Sequence, residues 1–300
     1  MENVIKLDSI EDYNQLYGLK TLHPLVAVID LRKATKLPPA ATLNFGIYAL
    51  YLKQTKCGDI RYGKQLYDYQ EGTVTSFAPG QVVEFQKPEN IHPDSQGLIF
   101  HPDLIRGTSL GQNIKHYSFF SYASNEALHL SDEEKIIFLD CLNKIQIELQ
   151  QPADKYSKRL ITRNIELLLD YCMRFYERQF ITRAKVNKDV LTKFEDLLDA
   201  YFQDEKPKHQ GLPTVKYFAG QVNLSPNYFG DLLKKETGKT AQEYIQEKLI
   251  NVAKEEIIGS DKNVSEIAYL LGFQYPQHFT RIFKKNVGYT PSEYRKLKVE

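Results

Sequence analysis

An internal repeat in the last 90 residues of the 300-residue chain limits its possible folds more than any other feature. At an offset of about 50 residues, residues 226–229 (Pro-Asn-Tyr-Phe) align with residues 276–279 (Pro-Gln-His-Phe), and residues 232–235 (Leu-Leu-Lys-Lys) align with residues 282–285 (Ile-Phe-Lys-Lys). Three further pairs keep the same register: Gly238 with Gly288, Thr240 with Thr290, and Tyr244 with Tyr294. Upstream the offset is 49, so the second copy carries one extra residue near Tyr275. A register this constant predicts two copies of one structural unit.

The first copy has the pattern of two helices joined by a short turn. The sequence predicts a helix over residues 215–222 and a turn over residues 223–225. Ser225 is suited to cap a second helix, and Pro226 is suited to begin it because a proline at the first position loses no hydrogen bond. Gly238 predicts the end of that helix, since glycine readily adopts the left-handed conformation found after helix ends.

The second copy predicts the same arrangement. Helices are expected over residues 264–271 and 276–287, with Gly288 as the stop, and a long helix over residues 241–258 connects the two copies. Two helices joined by a turn of this length form a helix-turn-helix, whose second helix can enter the major groove of DNA.

The charge distribution bears on whether the repeat binds DNA. Helix-turn-helix geometry also occurs in ordinary helical bundles, but two copies that both end in Lys-Lys favour DNA binding. The whole chain carries 39 Lys and Arg against 38 Asp and Glu, a formal charge of +1. Residues 211–300 hold 13 Lys and Arg against 10 Asp and Glu, whereas the other residues hold 26 against 28. The surplus of the repeat is modest, but its sign suits a DNA-binding surface.

The second copy and its flanks also carry a specific signature. Its residues are Val264-Ser265-Glu266-Ile267-Ala268, Gly272-Phe273, Phe279, Arg281, Phe283-Lys284-Lys285, Gly288 and Thr290-Pro291-Ser292-Glu293-Tyr294-Arg295. With it, residues 211–297 resemble the C-terminal domain of AraC/XylS-type transcription regulators. The resemblance implies an all-α domain that places two recognition helices in successive major grooves of promoter DNA. The upstream residues resemble, more weakly, the cupin-like sensor half of the same regulators.

The predicted base-reading residues lie on the second helix of each copy, whose first turns face base edges in a helix-turn-helix. They are Asn227, Tyr228 and Asp231 in the first copy, and Gln277, His278, Thr280 and Arg281 in the second. Arg281 can make a bidentate contact with guanine, and Gln277 can do so with adenine. Asp231 can only accept, which suits cytosine N4 but not phosphate. With Gly230 beside Asp231, the first copy is expected to read fewer bases.

The predicted contacts to the DNA backbone come from one helix start and the two Lys-Lys pairs: Ser225, Lys234, Lys235, Lys284 and Lys285. For each lysine the alternative is a solvated helix end whose charge complements the helix dipole. Leu249 departs from the resemblance, because related proteins often place a basic residue there that approaches the DNA backbone. Apolar residues at helical spacing are expected in the core: Phe229, Leu232, Leu233, Phe279, Ile282 and Phe283.

The fold class predicted for the whole chain is α+β and multidomain. Over residues 1–122, short runs rich in Val, Ile, Tyr and Phe between Gly and Pro predict a β-barrel or sandwich, cupin-like by resemblance, as a sensor domain. From a capping box at Ser131 the pattern becomes helical, so residues 123–203 are expected to be appended helices for dimerisation or connection. Alternatively, these helices simply pack on the strands. Residues 204–213 are expected to be a linker, followed by the all-α double helix-turn-helix DNA-binding domain over residues 214–300.

No enzymatic activity is expected of the upstream half. Side chains that could hold a metal in a cupin are present, but they include no H-x-H pair and no catalytic motif accompanies them: His92, His101, His116, Glu84 and Glu89. No catalytic residue, metal or other cofactor is therefore predicted. An effector pocket and a purely structural dimerisation module both stay open for residues 1–122. Tyrosines that could line a pocket for a sugar or an aromatic molecule, or merely pack on strands, are Tyr48, Tyr51, Tyr62, Tyr67 and Tyr69.

Together these patterns predict a DNA-binding transcription regulator controlled by a small-molecule effector. The expected partners are double-stranded promoter DNA, a second copy of the chain in a homodimer, RNA polymerase, and an effector for which no binding residue is assigned. The alternatives are a ligand-independent dimeric regulator and a metal-dependent cupin enzyme fused to a DNA-binding domain. Cys57, Cys141 and Cys172 form no C-x-x-C pair, which favours buried thiols in a reducing compartment. Without a signal peptide or an apolar run of about 18 residues, a cytoplasmic location and no membrane are expected.

Overall fold

The computed structural model describes residues 4–36, 41–54, 60–62, 65–67, 72–85, 94–122 and 126–299. The chain forms two compact units, Met1–Thr182 and Arg183–Glu300. The first unit combines sheets with helices, and the described part of the second is helical throughout. Among the described helices, none combines the length and the apolar composition that a membrane span requires.

The first unit contains two five-stranded sheets. Its strands are β1 (Val4–Leu7), β2 (Val26–Asp30), β3 (Ala41–Phe45), β4 (Tyr48–Lys53), β5 (Ile60–Tyr62), β6 (Gln65–Tyr67), β7 (Thr73–Phe77), β8 (Gln81–Phe85), β9 (Ser95–Phe100) and β10 (Leu128–His129). One sheet has the order β1-β3-β8-β5-β6 and the other the order β10-β7-β4-β9-β2. Neighbouring strands in the described sheets run antiparallel, except for the parallel pair β1 and β3.

The two sheets share one hydrophobic core, to which alternate strand residues contribute. From β4, Ala49 and Tyr51 enter this core, whereas Leu50 and Leu52 are fully buried on the opposite face. The second sheet is therefore covered on both faces, which explains why β4 is apolar without alternation. This is the predicted sandwich of strands, and its further likeness to cupins stays a prediction.

Helices complete the first unit. They are α1 (Ile10–Tyr17), α2 (Pro102–Ile105), α3 (Ser109–Asn113), α4 (Asp132–Gln150) and α5 (Ser157–Thr182), with 3₁₀ turns at Leu31–Lys33, Ile114–His116 and Ser118–Ser121. Residues 102–121, at the end of the predicted β domain, thus carry short helices and 3₁₀ turns. Helices α4 and α5 pack on each other and on the second sheet.

The start of α4 is fixed to α5 by a network around Glu134. The predicted capping box is confirmed, because Ser131 Oγ accepts from the Glu134 N–H and Glu134 Oε2 accepts from the Ser131 N–H. Arg178 of α5 donates to both carboxylate oxygens of Glu134 at 2.7 and 2.8 Å. Nearby, Cys141 and Cys172 are buried, as predicted, and burial raises the pKa of both thiols. Cys57 lies outside the described residues.

The second unit consists of helices packed around two clusters. They are α6 (Ala184–Gln203), α7 (Lys206–Gln210), α8 (Val215–Gln221), α9 (Pro226–Thr237), α10 (Ala241–Gly259), α11 (Val264–Leu270), α12 (Pro276–Val287) and α13 (Pro291–Val299). The pairs α8–α9 and α11–α12 are the two predicted helix-turn-helix copies, and α10 is the predicted connecting helix.

The boundary between the units differs from the predicted linker over residues 204–213. Helix α7 occupies half of that segment, and Tyr201 donates a hydrogen bond to the Gly211 carbonyl at 3.0 Å across it. Helix α6, expected with the dimerisation region, belongs to the second unit because Phe194 and Leu198 lie in the same cluster as Phe218 of α8.

The turns of the two copies have the same backbone geometry. Asn223 in the first copy and Gly272 in the second, which align at the upstream offset, have positive φ angles of 58° and 87°. In both copies the next residue donates to the carbonyl five residues earlier, Leu224 to Ala219 and Phe273 to Ala268, each at 2.9 Å. The repeat therefore extends to the hydrogen bonds of the turn, not only to the side-chain pattern.

Candidate nucleic-acid interface

Helix α9 begins at a proline and ends at a glycine, as the sequence predicts. Ser225 Oγ accepts a hydrogen bond from the Tyr228 N–H at 3.2 Å, and Pro226 takes the first-turn position. Gly238 has a φ angle of 74°, in the left-handed region, and its N–H donates to the Lys234 carbonyl. Both ends of the helix are thus fixed by local sequence.

Helix α12 repeats this arrangement with one difference at its start. Pro276 again begins the helix, and Gly288, with a φ angle of 90°, ends it by donating to the Lys284 carbonyl. Tyr275 takes the cap position that Ser225 holds in α9, and it forms no side-chain hydrogen bond to the described helix. The extra residue of the second copy therefore lies next to the helix start.

Both helices bury one side and expose the other. The buried side carries Phe229, Leu232 and Leu233 in α9, and Phe279, Phe283 and the partly buried Ile282 in α12. The other side presents positions i, i+3, i+4 and i+7, which share one helix face. These positions are Asn227, Gly230, Asp231 and Lys234, here named the α9 ridge, and Gln277, Thr280, Arg281 and Lys284, here named the α12 ridge. Each ridge brings predicted base readers together with a predicted phosphate contact.

The two ridges differ in charge. The α12 ridge carries Arg281 and Lys284, both exposed, whereas the α9 ridge balances Lys234 with Asp231. Gly230 leaves open space, since a Cβ atom built there meets nothing within 4 Å. The α12 ridge is therefore the more cationic surface.

Tyr228 corrects one of the predictions. Only 4% of this residue is exposed, so its ring is not presented to a partner. The prediction of Tyr228 as a base reader is wrong because a helix turns by about 100° per residue, which carries position 228 from the ridge towards the core. Its counterpart His278 is exposed, with its ring centroid 6.4 Å from that of Phe273.

Two hydroxyl groups that were predicted to contact DNA already form hydrogen bonds within the helices that carry them. Thr280 Oγ1 donates to the Pro276 carbonyl at 3.1 Å, within the same helix. Ser225 Oγ is the cap of α9 described above. The Thr280 oxygen can still accept a hydrogen bond from a base, so its contribution to recognition is narrower than that of a free hydroxyl.

The predicted phosphate-binding lysines are exposed near the ends of the two helices. Among the described residues, no ion pair engages any of the four: Lys234, Lys235, Lys284 and Lys285. Lys248 of α10 behaves differently, because it pairs with Asp199 of α6 at 2.5 Å. Leu249, expected at a position near the DNA backbone, is buried in the core of the second copy.

Helix α10 joins the cores of the two copies. Ala241 and Ile245 in its first half pack with Phe218 and Phe229 of the first copy. In its second half, Leu249, Ile250, Ala253 and Ile257 pack with α11 and α12. At 1.5 Å per residue, α10 is about 28 Å long. The two recognition helices are therefore held by one continuous element.

Capping boxes at the same point of each copy complete the repeat. Glu243 accepts from the Thr240 N–H at 2.8 Å, and Glu293 accepts from the Thr290 N–H at 2.7 Å. These backbone hydrogen bonds, followed by those from the threonine side chains, hold the pKa of both carboxyl groups below the usual value. Tyr244 follows the first capping box in α10. Its burial, and secondly the hydrogen bond that its hydroxyl donates to the Glu195 carboxylate, raise the pKa of Tyr244 to about 12.

Two residues of the second copy have a position that the sequence did not indicate. Tyr275 is 69% exposed at the start of α12, next to the α12 ridge. The one-residue insertion in the repeat was the available signal for it. Arg295, which belongs to the signature, donates to the Ile257 and Lys262 carbonyls, both at 2.7 Å. Its position shows a structural role within the unit.

The described candidate metal ligands of the first unit form no metal-binding group. His101 Nδ1 accepts from the Asp103 N–H at the start of α2, and His116 is exposed on a 3₁₀ turn. Glu84 lies in β8, whereas His92 and Glu89 lie outside the described residues. In the described ranges, no three His, Cys, Asp or Glu side chains form a group that could hold a metal ion.

Of the five candidate tyrosines, the two whose side chains are described, Tyr48 and Tyr51, lie on opposite faces of β4. Tyr51 packs in the core between the sheets, with its ring centroid 6.2 Å from that of Tyr13. Tyr48 stacks on Phe100, on the other face of β4. Tyr69 lies outside the described residues, as do the side chains of Tyr62 and Tyr67. Tyr48 and Tyr51 therefore favour strand packing over a shared pocket.

Comparison with known proteins places this repeat in a family. A family model described as a helix-turn-helix domain matches residues 218–297. The chain is 35% identical to the transposon Tn10 TetD protein of Escherichia coli over 127 residues, which are 42% of this chain and 83% of that protein. It is 30% identical over 158 residues to the HTH-type transcriptional regulator YijO of Escherichia coli K12, covering 53% of this chain and 51% of YijO. The chain thus spans about half the length of YijO.

Among solved structures, an AraC-type transcriptional regulator from Chromobacterium violaceum matches 36% of this chain and 91% of its own, with 24% identity and a TM-score of 0.32. The signature, the helix-turn-helix match and the relatives agree with the repeated architecture of the second unit. The chain belongs to the AraC/XylS-type family of helix-turn-helix transcription regulators.

Proposed function

We propose that the chain is a sequence-specific transcription regulator that binds double-stranded promoter DNA through α9 and α12. The observation that carries this proposal is the repetition of one exposed ridge on two helices whose cores share α10. A second helix of a helix-turn-helix reads the major groove, and two such helices on one rigid element can address two successive segments of it.

The α12 ridge supplies most of the sequence discrimination. Arg281 is exposed in the middle of the ridge, where its guanidinium can donate two hydrogen bonds to guanine O6 and N7. Gln277 precedes it by one helical turn and suits adenine. Thr280 adds a contact within the ridge, and His278 adds one beside it.

The α9 ridge contributes less. Asn227 is exposed at its start, and Asp231 can accept from cytosine N4. Because Gly230 has no side chain, the groove floor is read there through shape rather than through hydrogen bonds. Ser225 and the lysines Lys234, Lys235, Lys284 and Lys285 take the phosphate-facing role, which positions both helices without reading sequence.

Base reading is tested with the Arg281→Ala variant. The wild-type protein first selects a binding site from random DNA duplexes, and the affinity of the variant for that site is then measured. Binding to the selected site should weaken by about 1–3 kcal/mol, and preference at one base position should be lost. Arg174→Ala, which removes an exposed arginine of the first unit, is the matched control and should bind normally. An equal loss by Arg281→Ala on selected and random duplexes contradicts a base-reading role.

A homodimer formed through the first unit belongs to the same proposal. Leu160 and Leu167 of α5 are exposed and lie one heptad apart on one helix face. Exposed leucines in such a row suit a helix-to-helix contact with a second copy. A Leu160→Glu and Leu167→Glu double variant should change from dimer to monomer in light scattering, and an unchanged mass contradicts this interface.

Control by a small-molecule effector is the last part of the proposal, with a ligand-independent dimeric regulator as its alternative. The predicted contact with RNA polymerase stays a prediction. An effector can act only if it binds two states of the protein with different affinity. Operator binding measured with and without the effector tests this, and equal affinity supports the ligand-independent alternative.

A further inference from the structure

Tyr275, the inserted residue at the start of α12, has a side chain that the second unit does not use for its own packing. It is 69% exposed, the largest value among the large hydrophobic residues that the structure describes. Within the described part of the chain, neither a hydrogen bond nor a ring contact engages this side chain. The phenol is therefore available to a partner.

The corresponding residue of the first copy serves its own helix. Ser225 caps α9, because its Oγ accepts a hydrogen bond from the Tyr228 N–H at 3.2 Å. At the same point of α12, Tyr275 makes no such bond. The second copy thus gives up a stabilising cap and exposes an aromatic ring in its place. Departures from local preference of this kind are expected at functional positions.

Two neighbours fix the backbone from which the ring projects. Pro276 restricts the residue before it to an extended conformation, and Tyr275 has φ −128° and ψ 116°. The Tyr275 carbonyl also accepts from the His278 N–H at 3.0 Å in the first turn of α12. Because this backbone is already ordered, less conformational entropy is lost when the side chain binds a partner.

The ring lies at the end of α12 that would enter the groove. In helix-turn-helix complexes, the N-terminal residues of the recognition helix contact base edges. Gln277, the first residue of the α12 ridge, follows Tyr275 by two residues, so their Cα atoms lie within about 7 Å of each other. This distance corresponds to about two base-pair steps of about 3.4 Å. Tyr275 can therefore reach a base edge close to the one that Gln277 contacts.

The ring suits one chemical feature of the major groove. The C5 methyl group of thymine is an apolar group on the base edges, and apolar side chains contact it. A phosphate contact would need only a hydroxyl group, which Ser225 already supplies at this point of the first copy. The apolar ring is what distinguishes the second copy, and it favours the methyl group over phosphate.

We propose that Tyr275 is a specificity-determining residue, and that its ring contacts the methyl group of a thymine within about two base pairs of the base read by Gln277. The inference rests on the DNA binding proposed above. It adds a base preference at a position that the α12 ridge does not read, and it gives the second copy one more contact to sequence than the first.

The experiment uses the full chain and the DNA site that it selects from random duplexes. Gln277→Ala first identifies the base pair that Gln277 reads, as the position where preference is lost. Each thymine within about two base pairs of that position is then replaced by deoxyuridine, which lacks only the methyl group. One such replacement should weaken binding by the wild-type protein about fourfold, the factor expected for burial of one apolar carbon group.

Variants at Tyr275 separate the ring from the hydroxyl group. Tyr275→Ser, which introduces the residue that caps α9, should bind the selected site at least about fivefold more weakly and become insensitive to deoxyuridine at the contacted position. Tyr275→Phe keeps the ring and should behave as the wild type. Tyr156→Ser, which removes an exposed tyrosine of the first unit, is the matched control and should also bind normally.

The inference is overturned if no thymine lies in this window, if deoxyuridine binds as tightly as thymine, or if Tyr275→Ser keeps the dependence on the methyl group. An equal loss by Tyr275→Phe and Tyr275→Ser on selected and random duplexes overturns it in favour of a phosphate contact. These outcomes leave the proposed DNA binding intact, because they are measured on a site that the protein has selected. If no site is selected, the proposed function fails and this inference fails with it.

Discussion

Arg295 holds the last helix of the second unit to two other segments. From α13, its Nε donates to the Ile257 carbonyl in α10 and its Nη2 to the Lys262 carbonyl in the following loop. A guanidinium can make both bonds at once, whereas a lysine ammonium cannot match this fork. Arg295 thus joins α13 to α10 and to the loop that follows α10.

We therefore predict that Arg295→Lys lowers the free energy of unfolding by about 1–3 kcal/mol. Urea unfolding followed by circular dichroism measures the change. Lys296→Ala, at the exposed neighbouring position, is the control and should stay within experimental error of the wild type. If Arg295→Lys is as stable as the control, the two carbonyl contacts carry no net stabilisation.

The two capping boxes make the second unit sensitive to acid. Hydrogen bonds from Thr240 and Thr290 hold the pKa of Glu243 and Glu293 below the ordinary value of 4.5. A carboxyl group whose pKa is lower in the folded state stabilises the fold above its unfolded pKa, and this contribution disappears as the pH falls through the folded pKa.

A Glu243→Gln and Glu293→Gln double variant should therefore be less stable than the wild type at pH 7, and the difference should shrink below about pH 4.5. Unfolding curves measured between pH 3 and pH 7 show this directly. Glu255→Gln removes an exposed carboxylate of α10 and is the control for charge alone. A difference that stays constant over this pH range contradicts the capping role.

At the scale of elements, α6 is part of the DNA-binding unit. Phe194 is fully buried, and its ring packs edge-on against those of Phe218 and Phe229, with centroids 5.3 and 5.2 Å away. Helix α9 thus rests on α6, which lies before α8, the first helix of the repeat, in the chain. A fragment limited to the repeat lacks this support.

We predict that Phe194→Ala lowers the free energy of unfolding by about 3–5 kcal/mol. We also predict that a fragment of residues 183–300 folds cooperatively, while a fragment of residues 211–300 has a lower Tm. Calorimetry of the two fragments is the measurement. Equal Tm values would show that α6 adds nothing to the core of the first copy.

The elements that could be predicted from the sequence are those with local signals at both ends. Ser225, Pro226 and Gly238 mark α9 in the chain itself, and the structure has the helix between them. The short helix α7 was missed because Pro207 reads as a loop residue, although proline is tolerated in the first turn of a helix. The sequence does not predict that α6 belongs to the second unit. The residues that α6 contacts are distant in sequence, and the helical period of its apolar residues does not identify what covers them.

The candidate site also combines features that the sequence predicts with features that depend on the fold. The ridge positions repeat in the sequence with the helix period, and four of the seven base-reading candidates are exposed: Asn227, Gln277, His278 and Arg281. Tyr228 is buried, because its angular position on α9 turns its side chain towards the core. A pocket beside α4, lined among others by Asn14, Gln96 and Gln146, had no sequence signal, because these residues come together only through the fold.

At the scale of the whole molecule, α10 determines how far apart the two copies can act. Because each half of α10 is built into one core, the two recognition helices cannot move independently without breaking packed contacts. A DNA turn measures about 34 Å, close to the length of about 28 Å estimated for α10. One protomer should therefore protect two major-groove segments about one turn apart in hydroxyl-radical footprinting, and protection of a single half-turn contradicts this arrangement.

The near-zero charge of the chain limits how strongly DNA binding can depend on bulk electrostatics. With 39 cations against 38 carboxylates, affinity must rest on a few placed side chains. Each phosphate that is neutralised contributes a slope of about −0.9 to the dependence of log K on log salt. Replacing all four of Lys234, Lys235, Lys284 and Lys285 by alanine should reduce the slope by about 3–4 while preserving base preference. Lys188→Ala, which removes an exposed lysine of α6, is the control. An unchanged slope in the fourfold variant would show that the four lysines are solvated at the helix ends, where their charge complements the helix dipole.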